Sequence, residues 1–372
     1  MQHEEQKRFW LAWSLTPRLG SDSAPARKRF LPIIKNAIAP GQHGKVARGL
    51  LSDLLAAFRA QELKAVMERE WEEADRIGCR ILTLADETYP GLLREIPDPP
   101  PALYLIGNLV PADDLAIAVV GARRATPYGL QASRWISRDL AAAGLTVVSG
   151  LARGVDTEAH RGALEAGGRT VAVLGSGLAV VYPPENRALC EEIARNGAVL
   201  SPFPLQEPPR KQNFPARNRI LSGLTLGTLV VEAAERSGSL ITARLALEQD
   251  REVFAVPGRI TCRTSVGTNY LIKAGAKLVQ SATDILEELP RDAQRRLNPT
   301  PKPEKPGANK MEPLSVEEEG VLAILSTDEA VHIDTLAEKA SMGTAELLSR
   351  LLTLEMGGRV VQLPGQHYIL RL

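Results

Sequence analysis

The chain has 372 residues, of which 44% are hydrophobic and 24% charged, a composition typical of a globular protein with two or three domains. Its 45 Lys and Arg residues balance 44 Asp and Glu residues, which disfavours a broad basic surface for non-specific duplex binding but allows a local basic groove. The three cysteines are widely separated, which indicates neither a disulfide framework nor a zinc site. The apolar runs are too short for a signal peptide or a bilayer span, so we expect a cytoplasmic protein without membrane contact.

Residues 1–75 are predicted to form a helical N-terminal domain. Apolar residues recur at three- and four-residue spacing over 8–15, 49–59 and 62–74, which predicts three helices. Between the first two lies an irregular basic stretch, 25–29. A connector follows, with a proline cluster at 97–101 and a short apolar strand at 102–106.

Residues 76–290 alternate strand and helix patterns, which predicts an α/β fold with a doubly wound, mostly parallel sheet. Buried strands are predicted at 115–121, 145–149, 170–175, 198–201, 228–232, 252–256 and 277–280. Helices are predicted between them at 128–143, 156–166, 186–195 and 240–250. Ligands of such sheets lie beyond the carboxyl ends of the strands, so the loops at those ends are the candidate sites.

The C-terminal part reads as a linker followed by a small domain. Residues 291–313 are rich in proline and charge, which predicts a flexible linker. In 314–372, Ser315 and Glu318 form a capping-box pattern, helices are predicted at 333–340 and 344–356, and a hairpin at 359–370. This order is typical of a winged-helix domain. Its helix in the recognition position carries Glu346 and Glu355 against Arg350, which favours a protein-contact or architectural role over direct DNA contact.

The segment 211–219, with the sequence KQNFPARNR, carries the strongest functional signal. The cations Lys211, Arg217 and Arg219 suit phosphate oxygens, and Phe214 offers a ring face to a nucleobase. Asn218 either contacts the ligand or fixes the loop through hydrogen bonds. Single-stranded nucleic acid is the favoured ligand; a solvated basic loop with Phe214 in the core is the alternative.

Loops after the predicted strands combine glycines with hydroxyl or guanidinium groups, a pattern typical of anion binding at helix N-termini. The candidate residues are Gly121 and Arg123 after the first strand, Ser149, Gly150 and Arg153 after the second, Gly175 and Ser176 after the third, and Ser237, Gly238 and Ser239 before the helix at 240–250. No GxGxxG fingerprint occurs in these loops, which disfavours a nicotinamide oxidoreductase. Asp156 is interpreted as a helix cap and His160 as a structural residue.

In their order along the chain, these segments resemble the bacterial DNA-processing family DprA, also called Smf. The segments that carry the resemblance are 121–123, 149–156, 182–186, 214–219, 237–243, 256–258 and 267–276. The resemblance covers residues 80–290 and implies an extended Rossmann-like core that binds single-stranded DNA, dimerises, and loads the recombinase RecA onto incoming DNA in natural transformation, with no cofactor. It further implies phosphate contacts for Arg123 and the 237–239 loop, a base contact for Phe214, and a groove-lining role for Arg217 or Arg219.

The resemblance says less about the N-terminal region, which in this family is often of sterile-alpha-motif or helix-hairpin-helix type. Residues 16–20 depart from the usual glycine-rich hairpin, so DNA binding is not assigned there.

Two other functions stay open. The first is a nucleotide phosphoribohydrolase of the lysine-decarboxylase-like fold, whose PGGxGTxxE motif is only partly matched by 226–232, because the Pro-Gly-Gly is missing and Glu232 lies one residue too far along. The second is an adaptor whose basic loop contacts an acidic protein. No nucleophile–base pair or metal cluster of recognised spacing is evident, which favours a binding protein that is not an enzyme.

Overall fold

The computed structural model describes residues 2–19, 24–38, 47, 49–57, 60–297, 314–327 and 329–370. The N-terminal part of this range contains helices α1 (Gln2–Leu15), α2 (Ala24–Ile38), α3 (Leu50–Ala57) and α4 (Ala60–Arg76). Phe9, Trp10 and Leu11 of α1 are completely buried in the core. The three predicted helices are confirmed, but the stretch 25–29, predicted to be irregular, lies in α2. Its Pro25 falls in the first helical turn, where the missing N–H has no helical partner to lose.

One nine-stranded sheet forms the centre of the molecule. Its strands are β1 (Arg80–Thr83), β2 (Ala102–Gly107), β3 (Ala116–Val120), β4 (Thr146–Ser149), β5 (Thr170–Val173), β6 (Ala198–Ser201), β7 (Gly227–Val230), β8 (Glu252–Ala255) and β9 (Lys277–Leu278). The order is β1-β2-β6-β5-β4-β3-β7-β8-β9. The strands from β6 to β9 in this order pair in parallel, whereas β2 pairs antiparallel with β6 and β1 with β2. The predicted doubly wound, mostly parallel sheet is confirmed.

Helices cover both faces of this sheet. They are α5 (Gly91–Arg94), α6 (Pro127–Ala142), α7 (Val155–Glu165), α8 (Arg187–Asn196), α9 (Asn213–Gly223), α10 (Gly238–Glu248), α11 (Val266–Lys273), α12 (Ala282–Leu286) and α13 (Arg291–Arg296). Successive side chains of a strand point to opposite faces. Accordingly, Ile117 and Val119 of β3 belong to the core under α6 and α7, and Ala116 and Val120 to the core under α9 and α10.

Three sequence predictions in this region are wrong in detail. The strand predicted at 170–175 ends at Val173, and several other strand ends differ by one or two residues, whereas the strand predicted at 198–201 matches β6. The segment 211–219 is not a loop, because α9 begins at Asn213 and holds Pro215 in its first turn, where proline is tolerated. The predicted linker 291–313 begins with helix α13, and the rest of it, 298–313, lies outside the described residues.

The C-terminal elements are α14 (Val316–Ile324), β10 (Val331–His332), α15 (Ile333–Ala340), α16 (Thr344–Met356), β11 (Val360–Leu363) and β12 (His367–Leu370). The capping box of Ser315 and Glu318 is present, and the strands form a sheet in the order β10-β12-β11. Val321, Leu336 and Leu351 form part of a separate hydrophobic core. The predicted winged-helix domain is confirmed. Among the residues that the structure describes, no helix is both long and apolar enough to cross a membrane.

Candidate nucleic-acid interface

The candidate site lies where the strand order of the sheet reverses. The chain runs from β3 outwards through β4, β5 and β6, then returns to place β7 on the other side of β3. The loops after β3, β4, β5 and β7 therefore meet at one edge, because the carboxyl ends of parallel strands point the same way. All the loops selected from the sequence lie at this carboxyl edge.

A pocket of about 220 Å³ opens at the carboxyl edge. It is lined by Arg123, Arg124, Gly150, Ala152, Arg153, Gly175, Ser176, Tyr182, Pro183 and Phe214. The guanidinium carbon of Arg123 lies 4.8 Å from the centroid of the Phe214 ring, which is cation–π distance. The Tyr182 ring lies 6.3 Å from Phe214 at an interplanar angle of 55°. A positive charge and two aromatic rings thus share one small opening.

Glycine makes room for the Phe214 ring. A Cβ atom on Gly175 would lie 2.8 Å from Cδ1 of Phe214, closer than side chains pack. Because Phe214 is only half-buried, one part of its ring packs on the end of β5 and another part remains accessible. The alternative in which Phe214 is a plain core residue does not fit this placement.

The loop that carries Arg123 is held in place by a buried carboxylate. Glu232, 2% exposed at the end of β7, accepts hydrogen bonds from the backbone N–H and the hydroxyl of Thr126, at 2.9 and 2.5 Å. The Thr126 hydroxyl in turn accepts the N–H of Gly129 and caps α6. Arg123 itself is exposed, so a fixed backbone presents a solvent-facing guanidinium.

Gly121 has a packing role rather than a position facing the pocket. A Cβ at this position would lie 2.6 Å from Cγ2 of Val155, so glycine lets β3 and α7 approach closely. Gly154 is also required for close approach: its φ is +78°, and a Cβ there would lie 2.4 Å from the carbonyl oxygen of Ala122. The loops after β3 and β4 are therefore in direct contact.

Arg217, predicted to line the groove, lies beneath it instead. It is 4% exposed, and its Nη1 donates hydrogen bonds to the carbonyl oxygens of Gly150, at 2.7 Å, and Val173. Burial lowers its pKa to about 10, an effect that nearby Asp156 opposes and Arg123 reinforces. Arg217 thus braces the ends of β4 and β5 and has no face to offer to DNA.

Asn218 and Arg219 also have structural partners. The Asn218 amide donates to the carbonyl oxygen of Gly238 at 3.3 Å, which favours its loop-fixing role over ligand contact. Arg219 forms an ion pair with Asp98 of the proline cluster, its burial lowers its pKa, and it does not line the pocket. These two residues connect α9 to its surroundings instead of to the groove.

The predicted loop hydroxyls divide into two groups. Ser149 and Ser176 are buried, and their hydroxyls donate to the carbonyl oxygens of Val119 and Val180, both at 2.6 Å, so neither hydroxyl proton is directed to a ligand. Ser237 caps α10 by accepting the N–H of Ser239 at 3.3 Å. Phosphate binding by the Ser237–Ser239 loop stays a prediction.

Besides Arg123, the exposed cations Arg124 and Arg153 line the pocket. Arg153 forms an ion pair with Glu185 at the rim, and its pKa is raised by the hydrogen bond to that carboxylate. Lys211 is exposed just before α9 begins. Of the residues predicted from the sequence, Arg123, Arg153 and Phe214 are thus accessible at the pocket, and Lys211 is exposed in the segment that leads to Phe214. Arg124 and Tyr182 also line the pocket but were not predicted.

Comparisons with known proteins identify the family. Residues 80–290 match the family described as DNA recombination-mediator protein A, and residues 302–366 match the DprA winged helix domain. The chain belongs to the DprA family. Protein Smf of Synechocystis is 34% identical over 397 aligned positions, which cover 99% of each chain.

Two solved structures of DprA proteins resemble the fold. DNA processing protein A from Streptococcus pneumoniae is 34% identical with a TM-score of 0.62, covering 78% of this chain and 98% of that one. The protein from Helicobacter pylori, described for its single-stranded DNA binding mode, is 34% identical with a TM-score of 0.51, covering 56% and 93%.

Tyr182 is a residue of this DprA site that sequence reasoning did not select, whereas Asp156 and His160 were interpreted as structural residues. Tyr182 lies in a segment that carries the family resemblance, but nothing in its local pattern shows that it faces Phe214. The interpretation of Asp156 as the helix cap is wrong, because Gly154 is the N-cap of α7 and Asp156 is its buried second residue. Burial raises the pKa of Asp156, while Arg217 and the N–H of Ala152 oppose this. His160 is buried against the Thr170 hydroxyl at 2.7 Å, and burial lowers its pKa to about 3.

Proposed function

We propose that this DprA-family chain binds single-stranded DNA along the carboxyl edge of its sheet and loads a RecA-type recombinase onto the strand, as a homodimer and without catalysis. The observation that supports the proposal most is the stacking of Arg123 on the accessible Phe214 ring at the mouth of the pocket. We further propose the division into residues 1–75, 76–290, 291–313 and 314–372 as helical, core, linker and winged-helix segments.

The chemistry of the site favours a single strand over a duplex. A base must leave the stack of a duplex before it can lie on a protein ring, which costs free energy that an unpaired base does not pay. Arg123, Arg153 and Lys211 offer positive charge around the ring for the neighbouring phosphates. Phosphate contact and base stacking then act on the same strand.

The recombinase and dimer parts of the proposal rest on the family. The matching family is described as a recombination mediator, and the related H. pylori protein is described as binding single-stranded DNA. Stimulation of RecA-dependent strand exchange on a strand already covered by single-strand-binding protein tests the loading step. Without such stimulation, the proposal reduces to strand binding.

The competing functions have less support. In the phosphoribohydrolase hypothesis, Glu232 would act on substrate, but its carboxylate is buried and accepts two hydrogen bonds from Thr126. An adaptor for an acidic protein would use the cations of the site but gives no reason for an accessible ring beneath Arg123.

Fluorescence anisotropy with oligo(dT) at rising salt tests the strand-binding proposal. Each phosphate contact contributes about 0.7 to the slope of log affinity against log salt for single strands, so Arg123→Ala should reduce the slope by about that amount. Phe214→Ala should weaken binding by about 1–3 kcal/mol with the slope unchanged, because it removes stacking and no charge.

Arg195→Ala is the matched control, since it removes an exposed cation at the end of α8, near the amino edge of the sheet. It should leave both affinity and slope as in the wild type. Equal effects of Arg195→Ala and Arg123→Ala would mean that the protein binds DNA by net charge alone, and the proposed site would be wrong.

A further inference from the structure

The loop after β8 belongs to an unusually basic part of the chain. Between Glu252 and Asp284 there is no acidic residue, whereas four cations occur, namely Arg259, Arg263, Lys273 and Lys277. Lys277 forms an ion pair with Glu288. Arg259 and Arg263 are exposed in the loop between β8 and α11. A run of this kind produces a positive potential that attracts phosphate.

This loop lies at the same edge of the sheet as the pocket. Strands β3, β7 and β8 are parallel neighbours, with Val120, Val230 and Ala255 in register at their carboxyl ends. The N–H of Ala233 in the loop after β7 donates to the carbonyl oxygen of Thr264 at 2.7 Å. The Tyr128 hydroxyl, in the first turn of α6, donates to the carbonyl oxygen of Pro257 at 3.3 Å. The loop after β8 is thereby joined to the loop after β7 and to the first turn of α6.

The tip of the loop holds an apolar side chain in solvent. Ile260 is 92% exposed, between Arg259 and Arg263. The base of the loop is anchored, because the Asn269 amide bonds both the N–H and the carbonyl of Gly258, at 3.2 and 2.9 Å. A Cβ on Gly258 would lie 2.1 Å from the Ser265 hydroxyl, so glycine permits this closure. The exposure of Ile260 therefore belongs to a fixed loop.

We propose that the loop 258–263 is a second contact for the same DNA strand, with Arg259 and Arg263 on phosphates and Ile260 against a base. The inference rests on the proposed function, because it continues the strand from the pocket across the loop after β7, where Arg236 is also exposed. Cations without intervening carboxylates bind phosphate, and an exposed apolar side chain gives an unpaired base a surface that excludes water.

The geometry sets the length of strand required. From β5, beside the pocket, to β8 there are four strand spacings of about 4.8 Å, or about 19 Å. A strand stacked at about 3.4 Å per nucleotide needs about six nucleotides to cover this distance. We therefore expect a stacked oligonucleotide shorter than this, with its base on Phe214 at the end of β5, to stop before Ile260.

The test compares oligo(dT) of about four and about fifteen nucleotides, within the range of single-strand site sizes, by anisotropy at several salt concentrations. Arg259→Ala/Arg263→Ala should lower the salt slope by about 1.4 on the long strand and leave the short strand unchanged. Ile260→Ser should weaken the long strand about fivefold at unchanged slope. Arg195→Ala is the control for loss of a cation elsewhere.

The outcomes separate this inference from the proposed function. If the loop variants bind the long strand like the wild type while Arg123→Ala weakens both lengths, the second contact is refuted and the pocket stands. If Arg123→Ala weakens neither length, the pocket itself is refuted. A change of sedimentation with Ile260→Ser, without a change in DNA binding, would show that the loop contacts another copy of the chain and would also overturn the inference.

Discussion

Replacement of the buried Arg217 by methionine separates a bracing role from a DNA-contacting one. Methionine keeps much of the length of the side chain but removes the charge and the donors to Gly150 and Val173. The carboxylate of Asp156 then loses its nearby positive partner inside the protein. We expect Arg217→Met to destabilise the core instead of weakening DNA binding by the folded protein.

The size of the effect follows from the burial of Arg217, which is 4% exposed. Its loss removes the donor to the carbonyl oxygens of Gly150 and Val173, and a buried acceptor without its donor costs about 1–3 kcal/mol. For the two carbonyl oxygens together we expect about 3 kcal/mol, with little added by Asp156, because the N–H of Ala152 and the charge of Arg123 continue to stabilise its carboxylate. With a urea dependence of about 2 kcal/mol per molar, the unfolding midpoint should fall by about 1.5 M.

The deficit should also depend on pH. Loss of Arg217 raises the pKa of Asp156 further above its unfolded value, and such a carboxyl stabilises the fold at low pH and loses that contribution as the pH rises. The difference between Arg217→Met and wild type should therefore shrink as the pH falls, and Arg217→Met/Asp156→Asn should recover part of it at neutral pH.

Urea unfolding followed by far-UV circular dichroism, with anisotropy on the folded fraction, measures both properties of Arg217→Met. A variant with the wild-type unfolding midpoint and a lost affinity for oligo(dT) would refute the reasoning. Arg217 would then be a DNA ligand, as the sequence suggested.

Three further predictions concern other parts of the fold. Between pH 7 and pH 5 the wild type should lose about 2 kcal/mol of stability through His160, because the imidazole of the unfolded chain takes up a proton near pH 6.5 whereas the folded one has a pKa of about 3. His160→Gln should abolish this part of the loss, as measured by urea unfolding at the two pH values. An equal dependence of stability on pH in variant and wild type would contradict this. Gly175→Ala should displace the Phe214 ring and weaken oligo(dT) binding about tenfold in anisotropy, with a loss of stability near 1 kcal/mol; unchanged affinity would contradict the placement of the ring. Ser315→Ala should cost about 1 kcal/mol through the lost cap of α14, seen as faster amide exchange in that helix with unchanged DNA binding; unchanged exchange would mean that the cap does not stabilise the helix.

The parts of the fold that depend on local signals could be predicted from the sequence. The capping box at Ser315 and the Pro364-Gly365 turn fixed the outline of the winged-helix domain, and the helices predicted at 333–340 and 344–356 match α15 and α16. The alternation of buried strands and helices likewise predicted the parallel sheet. By contrast, β1 was not predicted, because it lies at the edge of the sheet with only two of its four residues buried and so lacks the continuous apolar run of the central strands.

The site was harder to predict because exposure is decided by tertiary packing. Arg217 and Lys211 belong to the same basic segment, yet one is buried under the pocket and the other is in solvent. The difference arises because α9 passes beneath the ends of β4 and β5, contacts that no local pattern contains. In the same segment, which was interpreted as a loop, Pro215 occupies the first turn of α9.

The most direct test of the account compares single- and double-stranded oligonucleotides bound to the wild type and to Arg123→Ala/Lys211→Ala/Phe214→Ala. All three positions are accessible at the site, so the variant should fold like the wild type. The account predicts a strong preference of the wild type for the single strand and its loss in the variant. Equal binding of both DNA forms, or an unchanged preference in the variant, would contradict the claim that the Arg123–Phe214 pocket holds the strand.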